Sequence, residues 1–461
     1  MSVRKVKSLQ AGLALLGAGF FAALACSTAA PALAASDTAR QLLDFSFSKL
    51  AVNFYKPTSD QVLLDGAVSG LRNEIKQHGG DANKIPALHQ GSSLNADIDA
   101  LDAELRLADR QFGAQIGDRQ LAYAAIKGLL ASVHDRWTAF LDPKEYKSLN
   151  EGLDGGNFPG IGVVIDIDAV SKALLVVQTL EGGPAQKAGL QPGDIVLTVD
   201  GQSTKGLSIA QDSKLVRGKP GSKVTLSVMR PGNAQPLTMS IVREFIHTPS
   251  ILARILNGNV GYVRVLVFGM TTGRELSSAL DRLQKEGAKG VVLDLRNNGG
   301  GYLNAAIDVS SKFVAEGPIV SIDSRTNPLT TIDAENNAIA PKPLAVLVNG
   351  FTASASEITS GAIQDSGAGV LIGTRTFGKG VVQTIYPLPD GSALKITTAR
   401  YLTPSGRDIN SVGIAPDIVV SDTKQADIGN VAADGQLQRA LAYVTQQIGA
   451  APAAPASRTT P

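Results

Sequence analysis

From Ile251 onward the chain alternates short apolar runs with amphipathic stretches, and this constrains its fold more than any other feature. Val260 to Val265, Gly290 to Leu295 and Leu344 to Val348 read as strands. Gly273 to Glu286, Leu303 to Phe313 and Ser356 to Gln364 carry apolar residues at helical spacing. Strands separated by helices predict a layered α/β core with a largely parallel sheet. Two other textures precede it. Thr38 to Ser148 is mostly helical, as in Leu42, Leu43, Phe47 and Leu50 and again in Leu121, Ala125, Leu129 and Val133, with a polar loop from Gln77 to Asn95. Phe158 to Arg243 is β-rich: Val163–Ile167, Leu174–Val177, Ile195–Val199 and Val224–Val228 are β-branched runs broken by Gly, Pro and Asp turns. With 461 residues, 44% of them hydrophobic, two or three cores are expected.

The ends have their own character. Arg4, Lys5 and Lys7 precede an apolar run from Ala11 to Ala25, and small residues follow around Ala32-Leu33-Ala34. This predicts an export signal over residues 1–34, too short in its apolar part for the roughly 20 residues of a spanning helix. Cys26, the single cysteine, follows Ala23-Leu24-Ala25 and resembles a lipoprotein acylation site, except for Ala where Leu is usual three residues upstream. Membrane association is expected only if Cys26 is lipidated or the signal stays uncleaved. Otherwise an exported, periplasmic or extracytoplasmic protein is expected, without disulfides or a thiol nucleophile. Residues 449–461 are dominated by Ala and Pro and predict a disordered tail.

The chain has 43 basic and 41 acidic residues, and removing Arg4, Lys5 and Lys7 leaves 40 against 41. Nothing in that balance suggests nucleic acid as a partner. The four histidines are His78, His89, His134 and His247, so the α/β region beyond them has none. A Ser-His-Asp triad inside that region is excluded, and no His/Cys ligand spacing suggests a metal. A hydrolase there would take its base from Lys, Asp or Glu.

Three runs in the α/β region could carry chemistry. Asn349-Gly350-Phe351-Thr352-Ala353-Ser354-Ala355-Ser356-Glu357 links a strand to a helix, placing hydroxyls where free N–H groups can stabilise an oxyanion. Ser354 with Glu357 also matches an ordinary capping box. Thr376-Phe377-Gly378-Lys379-Gly380-Val381-Val382-Gln383 places a lysine between glycines in an apolar segment, where burial would lower its pKa. A surface lysine in a glycine turn fits the same letters. In a strand, Gln383 would share the face of Lys379 and could orient its amine. Leu293-Asp294-Leu295-Arg296-Asn297-Asn298-Gly299-Gly300-Gly301 ends a buried strand in glycines that could offer further N–H donors, with Asp294 and Arg296 pairing to fix the loop.

Taken together, in this order and with Lys379 25 residues after Ser354, the runs resemble the carboxyl-terminal processing peptidases, or tail-specific proteases. Asp135-Arg136-Trp137-Thr138-Ala139-Phe140-Leu141-Asp142-Pro143, Tyr401-Leu402-Thr403-Pro404-Ser405-Gly406-Arg407 and Gly413-Ile414-Ala415-Pro416-Asp417 extend the likeness, although Thr138-Ala139-Phe140 stands where many members carry a Ser- or Thr-containing run ending in Tyr-Leu. The resemblance implies Ser354 as nucleophile, Lys379 as general base and Gln383 as the residue that positions the lysine, with Thr352 and Ser356 only flanking hydroxyls. The expected oxyanion donors are the N–H groups of Ala355, Gly300 and Gly301. The implied fold is multidomain α+β: a helical region (35–150), an inserted module (158–243) and a crotonase-like α/β peptidase core (247–448). The module resembles a PDZ domain, with Gly160-Ile161-Gly162-Val163 as a carboxylate-binding loop and Phe158, Ile161 and Val163 flanking an apolar pocket. The implied activity is serine endopeptidase cleavage of unfolded or tail-exposed proteins, without cofactor. A homo-oligomer or an adaptor protein is left open, and the alternative is an inactive PDZ scaffold.

Overall fold

The structure, a computed structural model, describes residues 32–153, 158–168, 170–180, 182–246, 249–338, 343–424 and 427–450. The expected signal up to residue 31, Cys26 within it, and the tail beyond Ala450 lie outside the described residues.

The helical region comprises α1 (Ala32–Asn53), α2 (Asp60–Gln77), α3 (Leu94–Ile116) and α4 (Asp118–Ala131). Their apolar stripes meet in one core that includes Leu42, Leu43, Phe47, Leu71, Leu105, Leu121 and Leu129. Gly70 and Gly128 let α2 and α4 touch backbone to backbone, since a Cβ on Gly70 would stand 2.1 Å from the Ala124 carbonyl oxygen. The loop between α2 and α3 is tied down: Arg72 donates to the Ile85 carbonyl at 2.8 and 2.9 Å.

This region is not a free-standing arm. Its core continues into Phe140, Leu388, Leu394 and Ile396 of the peptidase sheet. The chain then leaves helix for β1 (Ala139–Leu141), which pairs with β18 (Ala393–Leu402), before α5 (Pro143–Leu153) leads to the next module. A three-residue strand leaves almost no periodic signal, so sequence placed this stretch with the helices.

The inserted module holds β2 (Phe158–Gly160), β3 (Val163–Ile167), β4 (Leu174–Thr179), α6 (Pro184–Lys187), β5 (Ile195–Val199), β6 (Gln202–Ser203), α7 (Ile209–Val216), β7 (Lys223–Met229), β8 (Leu237–Val242) and β9 (Glu244–Ile246). The sheet runs β3-β4-β5-β7-β8, and β2 pairs with β9 to close the neck at Ile246, just past Arg243. β3 is therefore an edge strand, and α7 packs beside it. Val176, Val196, Leu226 and Val228 fill the core.

In the peptidase core, β10 (Ile251–Leu256), β11 (Val260–Val265), β12 (Gly290–Asp294), β15 (Leu344–Val348), β16 (Val370–Gly373) and β19 (Ile418–Val419) form one sheet in that order, parallel from β11 onward. β12 and β15 are buried at every residue because both faces are covered, as their unbroken apolar sequences require. Leu293, Val346 and Leu371 pack with α8 (Thr272–Lys285), α9 (Leu303–Ser311) and α10 (Ala355–Asp365). Val292, Ala345 and Ile372 pack on the other face against α11 (Gly435–Gly449). A second, antiparallel sheet joins β18 to β1, β13 (Pro318–Ser324) and β17 (Val381–Pro387), with β14 (Thr330–Asp333) beyond β13. The result is the expected α+β multidomain architecture.

Candidate active site

The carboxyl end of β15 runs through Asn349–Ala353 into α10, and Ser354 stands at the helix start with φ +58° and ψ −120°. A non-glycine residue there is strained and persists only where its surroundings hold it. Here the holding is visible. The Ser354 N–H donates to Glu357 Oε2 at 2.9 Å, and the Ala353 N–H to the Asn298 carbonyl at 3.0 Å. The flanking hydroxyls are committed elsewhere: Thr352 Oγ1 donates to the Leu295 carbonyl (2.9 Å) and Ser356 Oγ to the Asn298 carbonyl (3.0 Å). Both residues are fully buried, whereas Ser354 is half-buried and lines a cleft of about 320 Å³.

Lys379 and Gln383 line the same cleft, together with Gly299, Gly300, Gly301, Ala355 and Tyr401. Burial is the main force on the Lys379 ammonium. With the like charges of Lys395 and Arg136 it pulls the group down to about 8, against the opposing influence of Glu357 and Asp135. A lysine held there gives up its proton far more readily than a free one.

Glu357 joins the two chemical runs, a role that sequence reading missed by treating it only as a helix cap. It is fully buried and takes four hydrogen bonds, from the N–H groups of Ser354 (2.9 Å), Gly378 (2.7 Å) and Lys379 (2.9 Å) and from the Thr376 hydroxyl (2.5 Å). Tyr401 adds a second link, its hydroxyl donating to the carbonyls of Lys379 (2.6 Å) and Ser354 (3.2 Å). Burial, then Glu357, pushes that phenol well above its ordinary pKa, so it stays a donor.

The glycine run differs from expectation in one donor. Gly300 N–H is already bonded to Asn298 Oδ1 at 2.8 Å, so it is not free to receive an oxyanion. Among the described residues, the N–H groups of Ala355 and Gly301 have no such partner. Gly300 serves by close approach instead: at φ +98°, a Cβ there would lie 2.8 Å from both the Ala353 oxygen and the Ala355 nitrogen. Asp294 and Arg296 do pair, at 2.6 Å, and the buried guanidinium also reaches Asp434 (2.7 Å) and Gln436 (3.0 Å), tying the loop to α11.

Gln383 faces the cleft, but a β-bulge between Val382 and Gln383 breaks the expected alternation. Its amide donates to the Val381 carbonyl at 3.4 Å.

In the inserted module, Gly162 adopts φ +76°, and Ile161 and Gly162 lend their carbonyls to Ala185 (2.8 Å) and Leu180 (2.9 Å). Ile161 packs into the module core, Val163 is half-buried and Gly160 belongs to the neck. The side chain of Phe158 is not among those described.

Among the described residues, no cluster of His, Cys, Asp or Glu could hold a metal ion, and no helix is long and apolar enough to cross a membrane. A larger open groove of about 780 Å³ runs along β10 beside Arg254 and Arg264, but it includes none of the residues around Ser354.

Comparison with known proteins bears on this geometry. Residues 259–420 match peptidase family S41, and residues 175–230 match the PDZ domain. The carboxyl-terminal-processing protease of Synechocystis sp. is 36% identical over 345 residues, covering 74% of this chain and 80% of the relative. The carboxy-terminal processing protease CtpA of Bacillus subtilis is 35% identical over 328 residues, covering 71% and 70%. A solved S41 protease structure from Bacteroides fragilis shares the fold at 17% identity, with a TM-score of 0.50 over 86% of this chain and 96% of that one.

Proposed function

Because the chain belongs to peptidase family S41, among the carboxyl-terminal processing proteases, we propose that Ser354 and Lys379 form its catalytic dyad and that it cuts exported proteins near their carboxyl ends. One observation carries this reading. Ser354, held at a strained helix start, and Lys379, pulled down to about 8, line one cleft with their backbones clamped by the same buried carboxylate.

The neutral Lys379 amine takes the Ser354 hydroxyl proton as the oxygen attacks a peptide carbonyl. The resulting oxyanion is received by the Ala355 N–H at the start of α10, with Gly301 as the second donor. The ammonium returns its proton to the leaving amine, and an acyl ester remains on Ser354. Water, deprotonated by the same lysine, releases the acid. Gln383 lies in the cleft within reach of a role in orienting the lysine once substrate arrives.

Recognition of the substrate tail falls to the PDZ domain. An extended peptide can add to the free edge of β3 beside α7, with its terminal carboxylate at the Gly160–Val163 loop. α5 leads directly into this domain, and its Leu149 and Leu153 line the cleft, so tail binding and cleft access share one element. The signal-like residues 1–34 support the reading that it acts outside the cytoplasm, in the periplasm or an equivalent compartment.

Ser354→Ala and Lys379→Ala should each abolish cleavage of an unstructured protein while leaving the fold intact, and Ser356→Ala should remain active. An inactive Ser356→Ala beside an active Ser354→Ala would sink the assignment.

A further inference from the structure

The Lys379 side chain rests somewhere the reaction does not explain. Its Nζ lies 4.5 Å from the centroid of the Trp137 ring, and among the described residues it has no hydrogen-bond or ion-pair partner. Trp137 is held firmly. Asp135 accepts hydrogen bonds from the hydroxyls of Thr138 (2.8 Å) and Thr397 (2.5 Å), which pins the turn to β18. The Arg136 guanidinium lies 4.3 Å from the same ring and 5.2 Å from Phe377, whose ring meets the indole edge-on at 6.3 Å.

We infer that Trp137 is a positioning residue for the base: its indole face is the resting station of the protonated Lys379, which the side chain leaves to take the Ser354 proton. The inference rests on Lys379 being that base. An indole face attracts an ammonium through its quadrupole and has no comparable attraction for a neutral amine. The station therefore selects the form that cannot act as a base, and it competes with transfer to the serine. Every charged group facing the ammonium belongs to this balance: Lys395 on β18 and Arg136 beside the ring disfavour the charge, while Glu357 on α10 and Asp135 in the pinned turn favour it. A ring that merely excluded water would act in the opposite sense to the quadrupole, since desolvation disfavours an ammonium. The two roles are distinguishable by sign.

Trp137 is the only tryptophan in the chain, so its emission reports on this site, and Lys379→Met isolates the lysine's share. In the full-length protein the fluorescence should change with a midpoint near pH 8, and the change should vanish in Lys379→Met. No transition in the wild type, or the same transition in Lys379→Met, overturns the inference. Removing the ring should also move the acid limb of kcat/KM. In Trp137→Leu the limb should fall by about 0.5 to 1 pH unit, and in Trp137→Phe, which keeps a weaker quadrupole, by less. A limb that rises or stays in place in the folded variant overturns the inference, and Trp137→Phe carries the test if Trp137→Leu does not fold. The dyad itself is tested separately: a Lys379→Met enzyme that still cleaves sinks the base assignment, whatever the fluorescence shows.

Discussion

Replacing Glu357 by glutamine probes the clamp between the proposed nucleophile and base with almost no change of shape. The carboxylate takes the Ser354 and Lys379 N–H groups on Oε2, and the Gly378 N–H with the Thr376 hydroxyl on Oε1. A glutamine presents an NH2 group to one of these pairs, so two charge-assisted bonds are lost and donors face donors. Each such bond contributes roughly 1.5–3 kcal/mol, which makes the gross loss about 3–6 kcal/mol, shared between stability and the placement of the two backbones. A nucleophile displaced by about 1 Å reacts about a hundredfold more slowly, and that is the expected loss at high pH. The missing charge leaves a separate mark. Glu357 favours the Lys379 ammonium, so its neutralisation lowers the base below about 8 and moves the acid limb to lower pH. The assay is kcat/KM for an unstructured protein from pH 6 to 10, with thermal unfolding measured alongside. A plateau within about threefold of wild type, or an acid limb displaced upward, would refute the reasoning.

Gly300→Ala should lose at least about a hundredfold in kcat, because its Cβ would press on the Ala353 oxygen and Ala355 nitrogen that set the nucleophile turn; full activity would show that the turn tolerates displacement. A substrate ending in Ala-Ala should be cleaved faster than the same protein ending in Asp-Asp. Amidating its terminus should weaken binding about tenfold or more, through the loss of charge-assisted bonds. Equal rates for all three tails would contradict tail reading by the PDZ domain.

The parts legible in the sequence are those whose neighbours are close in the chain or whose burial is two-sided. β12 and β15 announce themselves as unbroken apolar runs because helices cover both faces, and the bounds read for β3, β5, β11 and β15 coincide with those observed. Other features depend on distant partners. β1 is only three residues long and exists because Ala139–Leu141 finds Ala393–Lys395. The fusion of the helical region with the peptidase sheet rests on Phe140, Leu394 and Ile396, which no local periodicity links to α1 or α4. In the site, Ser354 and Lys379 could be paired by spacing and resemblance. The four bonds of Glu357 and the resting of Lys379 against Trp137 join residues from separate elements and need coordinates to be seen. The same holds for Gly300, whose N–H is taken by a side chain two residues earlier.

The dyad is tested most directly by the pH dependence of covalent labelling of Ser354 with a fluorophosphonate, followed by mass spectrometry. If the proposed dyad holds, the proton leaving Ser354 goes to Lys379, and the labelling rate should rise through about pH 8 as the ammonium is lost. From pH 7 to pH 9 that rise should be about tenfold, following the neutral fraction of a base titrating at that pKa. In Lys379→Ala the rate should be slow and nearly flat over the same range. A label on Ser356, or a Ser354 label whose pH dependence is the same with and without Lys379, would contradict the account.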